Sequence, residues 1–140
     1  SMATGIQLRS DTKEEKFSTM LIHPDLKAMF NKLKVSDYQI IVITDGGAGA
    51  YAYDGKKYYY CPCFEGPVTS TLGAGDAFAS TFCASLMREN KDIEKALKMA
   101  SINSAGVVSE FGATRGLLTF DEIEKRLSNS PDYECKIEVE

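Results

Sequence analysis

The chain has no tryptophan, a single histidine and only four prolines among its 140 residues. One histidine, His23, leaves no material for a histidine-based metal centre or a histidine triad. With Pro24 and Asp25 following it, a capping role is the plainer reading. No apolar run approaches the length that spans a bilayer, and no basic segment followed by a long apolar stretch opens the chain, so neither membrane nor signal peptide is expected. Positive charge is short as well. Sixteen Lys and Arg against twenty Asp and Glu give a net charge of −4, which argues against a nucleic-acid surface. Cysteine is sparse: Cys61, Cys63, Cys83 and Cys135. Cys61-x-Cys63 has no second pair near it, so no metal-ligating set is assigned. Reduced or incidental thiols fit a cytoplasmic protein, with Cys83 on the apolar face of a helix. Internal repeats, heptads and low-complexity tracts are missing. So are GxxxxGK[ST] and GxGxxG, which removes the P-loop and the usual dinucleotide fingerprint.

What is present suits one domain with a real core: 44% hydrophobic and 26% charged residues. Residues 1–20 are polar and mixed, and read as a flexible lead-in in which Ser1-Met2 looks left over from cloning. Residues 21–140 form the folded part. His23-Pro24-Asp25 opens a helix over 24–34, with Leu26, Met29, Phe30 and Leu33 at helical spacing. Gln39–Thr44 is a β-branched run that reads as a strand buried on both faces, as in a parallel sheet. It ends in Asp45-Gly46-Gly47-Ala48-Gly49, where glycines let a ligand approach the backbone. Asp54-Gly55 between tyrosine-rich runs marks a hairpin over 49–61. Those tyrosines read as packed or half-exposed strand aromatics rather than a base-stacking surface.

The most informative stretch is Ser70-Thr71-Leu72-Gly73-Ala74-Gly75-Asp76, with a helical pattern starting at once. A helix N-terminus offers unsatisfied N–H donors and a positive partial charge, which suits an anion, and a carboxylate beside it suits a general base. The pairing points to phosphoryl transfer. Phe78, Phe82, Leu86 and Met87 give this helix, 76–89, an apolar stripe. A helix over 92–110 follows, with small residues Ala100, Ser101, Ser104, Ala105 and Gly106 permitting close packing or a flat ligand. Phe111–Gly116 is a second glycine-bearing loop. Thr119-Phe120-Asp121-Glu122 is a capping box for a helix over 119–127, and 133–140 reads as a small edge strand.

Together these pieces resemble the C-terminal half of the PfkB, or ribokinase-like, carbohydrate kinase family. Ser70–Phe78 is similar to that family's D-T-x-G-A-G-D-x-F signature. Thr44, Gly46 and Gly49 match its T-x-G-x-x-G strand end, and Ala100–Ala105 with Gly112-Ala113 match its small-residue helix and G-A loop. The matches lie in order over about residues 35–127. The resemblance implies a partial three-layer α/β/α sandwich with a mostly parallel sheet and an antiparallel hairpin. It implies ATP-dependent phosphoryl transfer to a hydroxyl of a sugar or nucleoside. Asp76 would be the catalytic base, and the amides of Gly73, Ala74 and Gly75 would meet the charge on the transferred phosphate. Thr44, Gly46, Gly49 and Thr71 would lie along the nucleotide phosphates and ribose. Asn103, Gly112 and Ala113 would flank the adenine. Magnesium would come with the phosphates and be held largely through water.

The chain departs from the family pattern in three places. Ser70 stands where the signature has an acid, near which family members bind a monovalent cation, so no such cation is carried over. Ser80-Thr81 replaces a position usually followed by glycine. The N-terminal substrate signature and the N-x-x-E motif are not found. Two readings follow. The chain is the ATP-binding, base-carrying half of a sugar or nucleoside kinase, or it is a non-catalytic nucleotide-binding or interaction module. Either way it is expected to be inactive alone and to self-associate through an exposed sheet edge or apolar face.

Overall fold

A computed structural model describes residues 23–34, 39–88, 92–109 and 117–139. Helix α1 spans Pro24–Leu33. Its start is chemical: Pro24 occupies the first turn, and the Nδ1 of His23 accepts the amide of Asp25 at 3.0 Å. Strand β1, Ile41–Thr44, runs into a one-turn 3-10 helix at Gly46–Ala48 and then into β2, Ala50–Tyr53. Strand β3 is Lys57–Cys61. The β2–β3 turn closes where Gly55 takes a φ of 96° and Asp54 Oδ1 accepts the amides of Lys56 and Lys57, each at 2.8 Å. Burial pushes the Asp54 carboxyl up, but those two amides and the Tyr59 hydroxyl outweigh it and hold it below the usual carboxylate range.

Helices α2 (Ala74–Arg88), α3 (Ile93–Val108) and α4 (Phe120–Ser128) follow, then β4 (Lys136–Val139). Asp92 caps α3 through the amide of Lys95. Thr119 and Glu122 form the reciprocal capping box that starts α4.

The four strands are ordered β1-β2-β3-β4, and every neighbouring pair is antiparallel. Among the described residues the sheet is therefore not mostly parallel, and this corrects the reading of Gln39–Thr44. The reason lies in the layers. Helix α1 covers one sheet face, where Leu26 and Phe30 pack on Ile41, Ile43, Tyr53 and Tyr58. Helices α2 and α3 cover the other, where Phe78, Phe82, Ala96, Leu97 and Ala100 pack on Ala50, Ala52, Tyr59 and Cys61, with Val42 beside them. A strand between two helical layers is apolar on both sides whatever the direction of its neighbours. The outer edge of β1 carries no partner strand among the described residues. A third cluster joins α3 to α4 through Met99, Ile102 and Ile123.

Two details of α2 also differ from expectation. Phe78 and Phe82 are buried, but Met87 is 85% exposed and Cys83 is exposed. At about 3.6 residues per turn, Met87 lies two and a half turns from Phe78 and so on the opposite face. Cys83 is likewise rotated off the Phe78–Phe82 stripe. The tyrosines behave as strand aromatics: Tyr53, Tyr58 and Tyr59 are buried, and Tyr53 stacks on Tyr58 with ring centres 4.5 Å apart.

Candidate functional site

The end of β1 and the start of α2 meet at a cavity of about 100 Å³, lined by Thr44, Gly46, Gly49, Ala50, Cys63, Ala74, Gly75, Phe78, Ser101 and Ser104. Two sequence motifs some thirty residues apart thus share one space.

The first wall is the turn after β1. Asp45 N donates to Gly49 O at 2.8 Å, Ala48 N to Asp45 O, and Gly49 N to Gly46 O. Gly46 and Gly49 adopt φ values of 50° and 107°. At Gly49 an added Cβ would sit 2.5 Å from Cys61 O and 2.9 Å from the Tyr60 ring, so glycine is required there on two counts. The Tyr60 hydroxyl donates to Ala48 O at 2.7 Å and clamps the turn from outside. Burial pushes the Asp45 carboxyl up. It also raises the Cys63 thiol, helped by the neighbouring Cys61.

The second wall is the signature stretch. Thr69 N and Ser70 N both donate to Val108 O, which ties the loop to the end of α3. Ser70 Oγ accepts from Leu72 N at 3.2 Å, so the serine in the acid's position serves the turn itself. Gly73 turns the chain with a φ of 81°. Ala74 N donates to Thr71 O, and Ala77 N to Gly73 O. The amides of Gly75 and Asp76 have no acceptor among the described residues, as expected in a first helical turn. Ser104 Oγ donates to Ala74 O at 3.2 Å and holds that turn against α3. Asp76 is exposed in the first turn of α2, one residue beyond the cavity lining. An added Cβ on Gly75 would meet nothing within 4 Å.

The cavity thus brings together Thr44, Gly46, Gly49, Ala74 and Gly75, with Gly73 and Asp76 adjoining. Thr71 is exposed and contributes its carbonyl to the helix start. Asn103 is not in the lining. It is 6% exposed, donates from Nδ2 to Thr81 Oγ1 at 2.8 Å, and accepts the amide of Leu118 at 2.9 Å. Gly112 and Ala113 lie outside the described residues. Ser101 and Ser104 belong to the small-residue helix noted in the sequence. Cys63 and Ala50 had no sequence signal: Ala50 pairs with Cys61 at the end of the β2–β3 ladder, and Cys63 follows two residues later. Among the described residues no group of three or more His, Cys, Asp or Glu could hold a metal ion, and no helix is long and apolar enough to cross a membrane.

Residues 11–119 match the model of the pfkB family carbohydrate kinases. A ribokinase of Bacillus subtilis is 39% identical over 88 residues, which are 63% of this chain and 30% of that protein. A 5-dehydro-2-deoxygluconokinase of the same organism is 37% identical over 87 residues, 61% of this chain and 26% of that protein. The crystal structure of a Cryptococcus neoformans ribokinase in complex with ADP superposes with a TM-score of 0.62 at 34% identity. It covers 71% of this chain and 33% of that one. The matched part of this chain thus spans only about a quarter to a third of each relative's length. The match extends over most of the chain and takes in both walls of the cavity, and the chain belongs to the pfkB family of carbohydrate kinases.

Proposed function

We propose that this chain is the C-terminal, nucleotide-binding part of an ATP-dependent kinase that phosphorylates a hydroxyl of a sugar or nucleoside. One observation carries the reading: the β1 turn and the α2 N-terminus line a single cavity, and the amides of Gly75 and Asp76 have no acceptor among the described residues. Phosphate oxygens are the natural partners of such donors.

In this reading Thr44, Gly46, Gly49 and Thr71 lie along the nucleotide phosphates and ribose. The amides of Gly73 and Gly75 face the charge that develops on the transferred group, while that of Ala74, expected to join them, is taken by Thr71 O. Asp76, exposed beside them, takes the proton of the attacking hydroxyl. Positioning and preorganised donors supply most of what phosphoryl transfer requires. Asn103 holds the segment at Leu118 behind the adenine side, which Gly112 and Ala113 close. Magnesium would come with the nucleotide phosphates and be held largely through water. The acceptor site belongs to chain beyond these 140 residues. The fragment alone therefore binds nucleotide weakly and does not turn over. The edge of β1, which has no partner strand among the described residues, makes self-association the expected behaviour of the isolated chain.

The test uses the longer kinase that contains this chain. ATP consumption is measured with ribose, 5-dehydro-2-deoxygluconate and adenosine, in the native protein and in Asp76→Asn. The expected loss of kcat is about 10²–10⁴-fold, the usual worth of a positioned general base. Undiminished turnover in the variant removes Asp76 from the proton transfer.

A further inference from the structure

The ladder between β3 and β4 pairs Lys57 with Val139, Tyr58 with Glu138, Tyr59 with Ile137 and Tyr60 with Lys136. One step further in the same register sets Cys61 opposite Cys135. Directly opposed residues in antiparallel strands have Cα atoms about 4.5–5.5 Å apart, inside the roughly 4.4–6.8 Å range that a disulfide bridges. Both side chains lie on the sheet face that α3 covers. Cys61 Sγ lies 3.5 Å from Ser101 Oγ and 3.3 Å from the Tyr133 hydroxyl, and Cys135 Sγ lies 3.6 Å from Glu94 O.

We propose that Cys61 and Cys135 form a reversible disulfide that ties the C-terminal strand to β3. The co-reactant is a low-molecular-weight disulfide of the glutathione class. Cys61 is fully buried and Cys135 is half-buried, so the reagent meets Cys135 first. Cys135, the more accessible of the two, gives up its proton to solvent and its sulfur attacks one sulfur of the reagent, forming a mixed disulfide and releasing one reagent thiolate. Cys61 then attacks the Cys135 sulfur, closing the intramolecular bond and releasing the second thiolate. Two protein thiols lose two hydrogens and two electrons, and one reagent disulfide becomes two thiols.

The surroundings favour the second step. In the reduced pair the neighbouring Cys135 thiol, then the Tyr133 and Ser101 hydroxyls and the Lys98 charge, outweigh burial and hold the Cys61 thiol below the usual thiol range. The Cys61 partner and burial, with Glu94, push Cys135 the other way. Once Cys135 carries the reagent's sulfur its S–H is gone, and the Tyr133 and Ser101 hydroxyls with the Lys98 charge remain to stabilise the Cys61 thiolate that closes the bond. The remaining cysteines, Cys63 and Cys83, are exposed.

The inference is independent of the nucleotide reading and is tested without nucleotide. The Cys63→Ser/Cys83→Ser chain is incubated with oxidised glutathione, alkylated, and analysed by intact mass and by non-reducing peptide mapping. The expected product has lost two hydrogens, resists alkylation, joins the Cys61 and Cys135 peptides, and reverts with dithiothreitol. It should form at least about ten-fold faster in the folded chain than in urea, because the sheet supplies the effective concentration. Cys135→Ser in the same background should abolish the loss of mass. A stable glutathione adduct, unreacted thiols, or equal rates in buffer and urea would overturn the proposal.

Discussion

The two walls of the cavity carry glycine for different reasons. At Gly49 the fold itself demands it: φ is 107°, and a Cβ would strike the Cys61 carbonyl and the Tyr60 ring. At Gly75 the fold demands nothing, since the residue is helical and a Cβ there would project into open space. A glycine that packing does not explain is best explained by something that approaches the backbone from outside. One wall is a structural device that shapes the cavity, and the other, in the proposed function, is the surface that meets the ligand.

The comparison can be broken at its rigid side. Gly49→Ala forces a methyl group against backbone in a region open essentially to glycine alone. We expect a loss of about 3 kcal/mol or more, read as the shift in urea midpoint. A variant as stable as the parent would show that the turn relaxes and that glycine is not structural there. Asn103→Ala comes next. It removes the partner of the buried Thr81 hydroxyl and of the Leu118 amide, at an expected cost of about 2 kcal/mol. Its urea midpoint should fall while nucleotide affinity changes little, because Asn103 is not in the cavity lining. A selective loss of affinity at unchanged stability would instead put its amide on the ligand. Tyr60→Phe is milder. It deletes the bond to Ala48 O and should cost about 1 kcal/mol, with faster exchange of the Ala48 and Gly49 amides as its signature.

How much of this was legible in the sequence follows the same division between local and distant causes. The His23-Pro24 helix start, the Asp54-Gly55 hairpin and the Thr119–Glu122 capping box are set by residues within a turn of each other, and each stands as read. Strand direction is not local. Ile41–Thr44 reads as a doubly buried strand; Ile41 and Ile43 are buried against α1 while Val42 and Thr44 are only half-buried on the side of α2 and α3, and neither fact says anything of its partner, which is antiparallel β2. Met87 and Cys83 were misplaced because small residues blur the apolar stripe of α2: Ala79 and Ala84 are exposed while Thr81 and Ser85 are buried. The motifs at Thr44–Gly49 and Gly73–Asp76 named half of the cavity lining. Cys63, and the facing of Cys61 by Cys135, depend on strand register and left no trace in residue spacing.

The central claim is that the α2 N-terminus is bare for phosphate, and Gly75→Ala tests it most directly. Alanine is favoured over glycine in a helix by up to about 1 kcal/mol, so the variant should melt at the same temperature as the parent or slightly above it. Titration calorimetry with ADP should at the same time show affinity falling at least about ten-fold, as the new methyl group holds phosphate off the amides. Unchanged ADP affinity in a folded Gly75→Ala chain, or no ADP binding by the folded parent, would contradict the account.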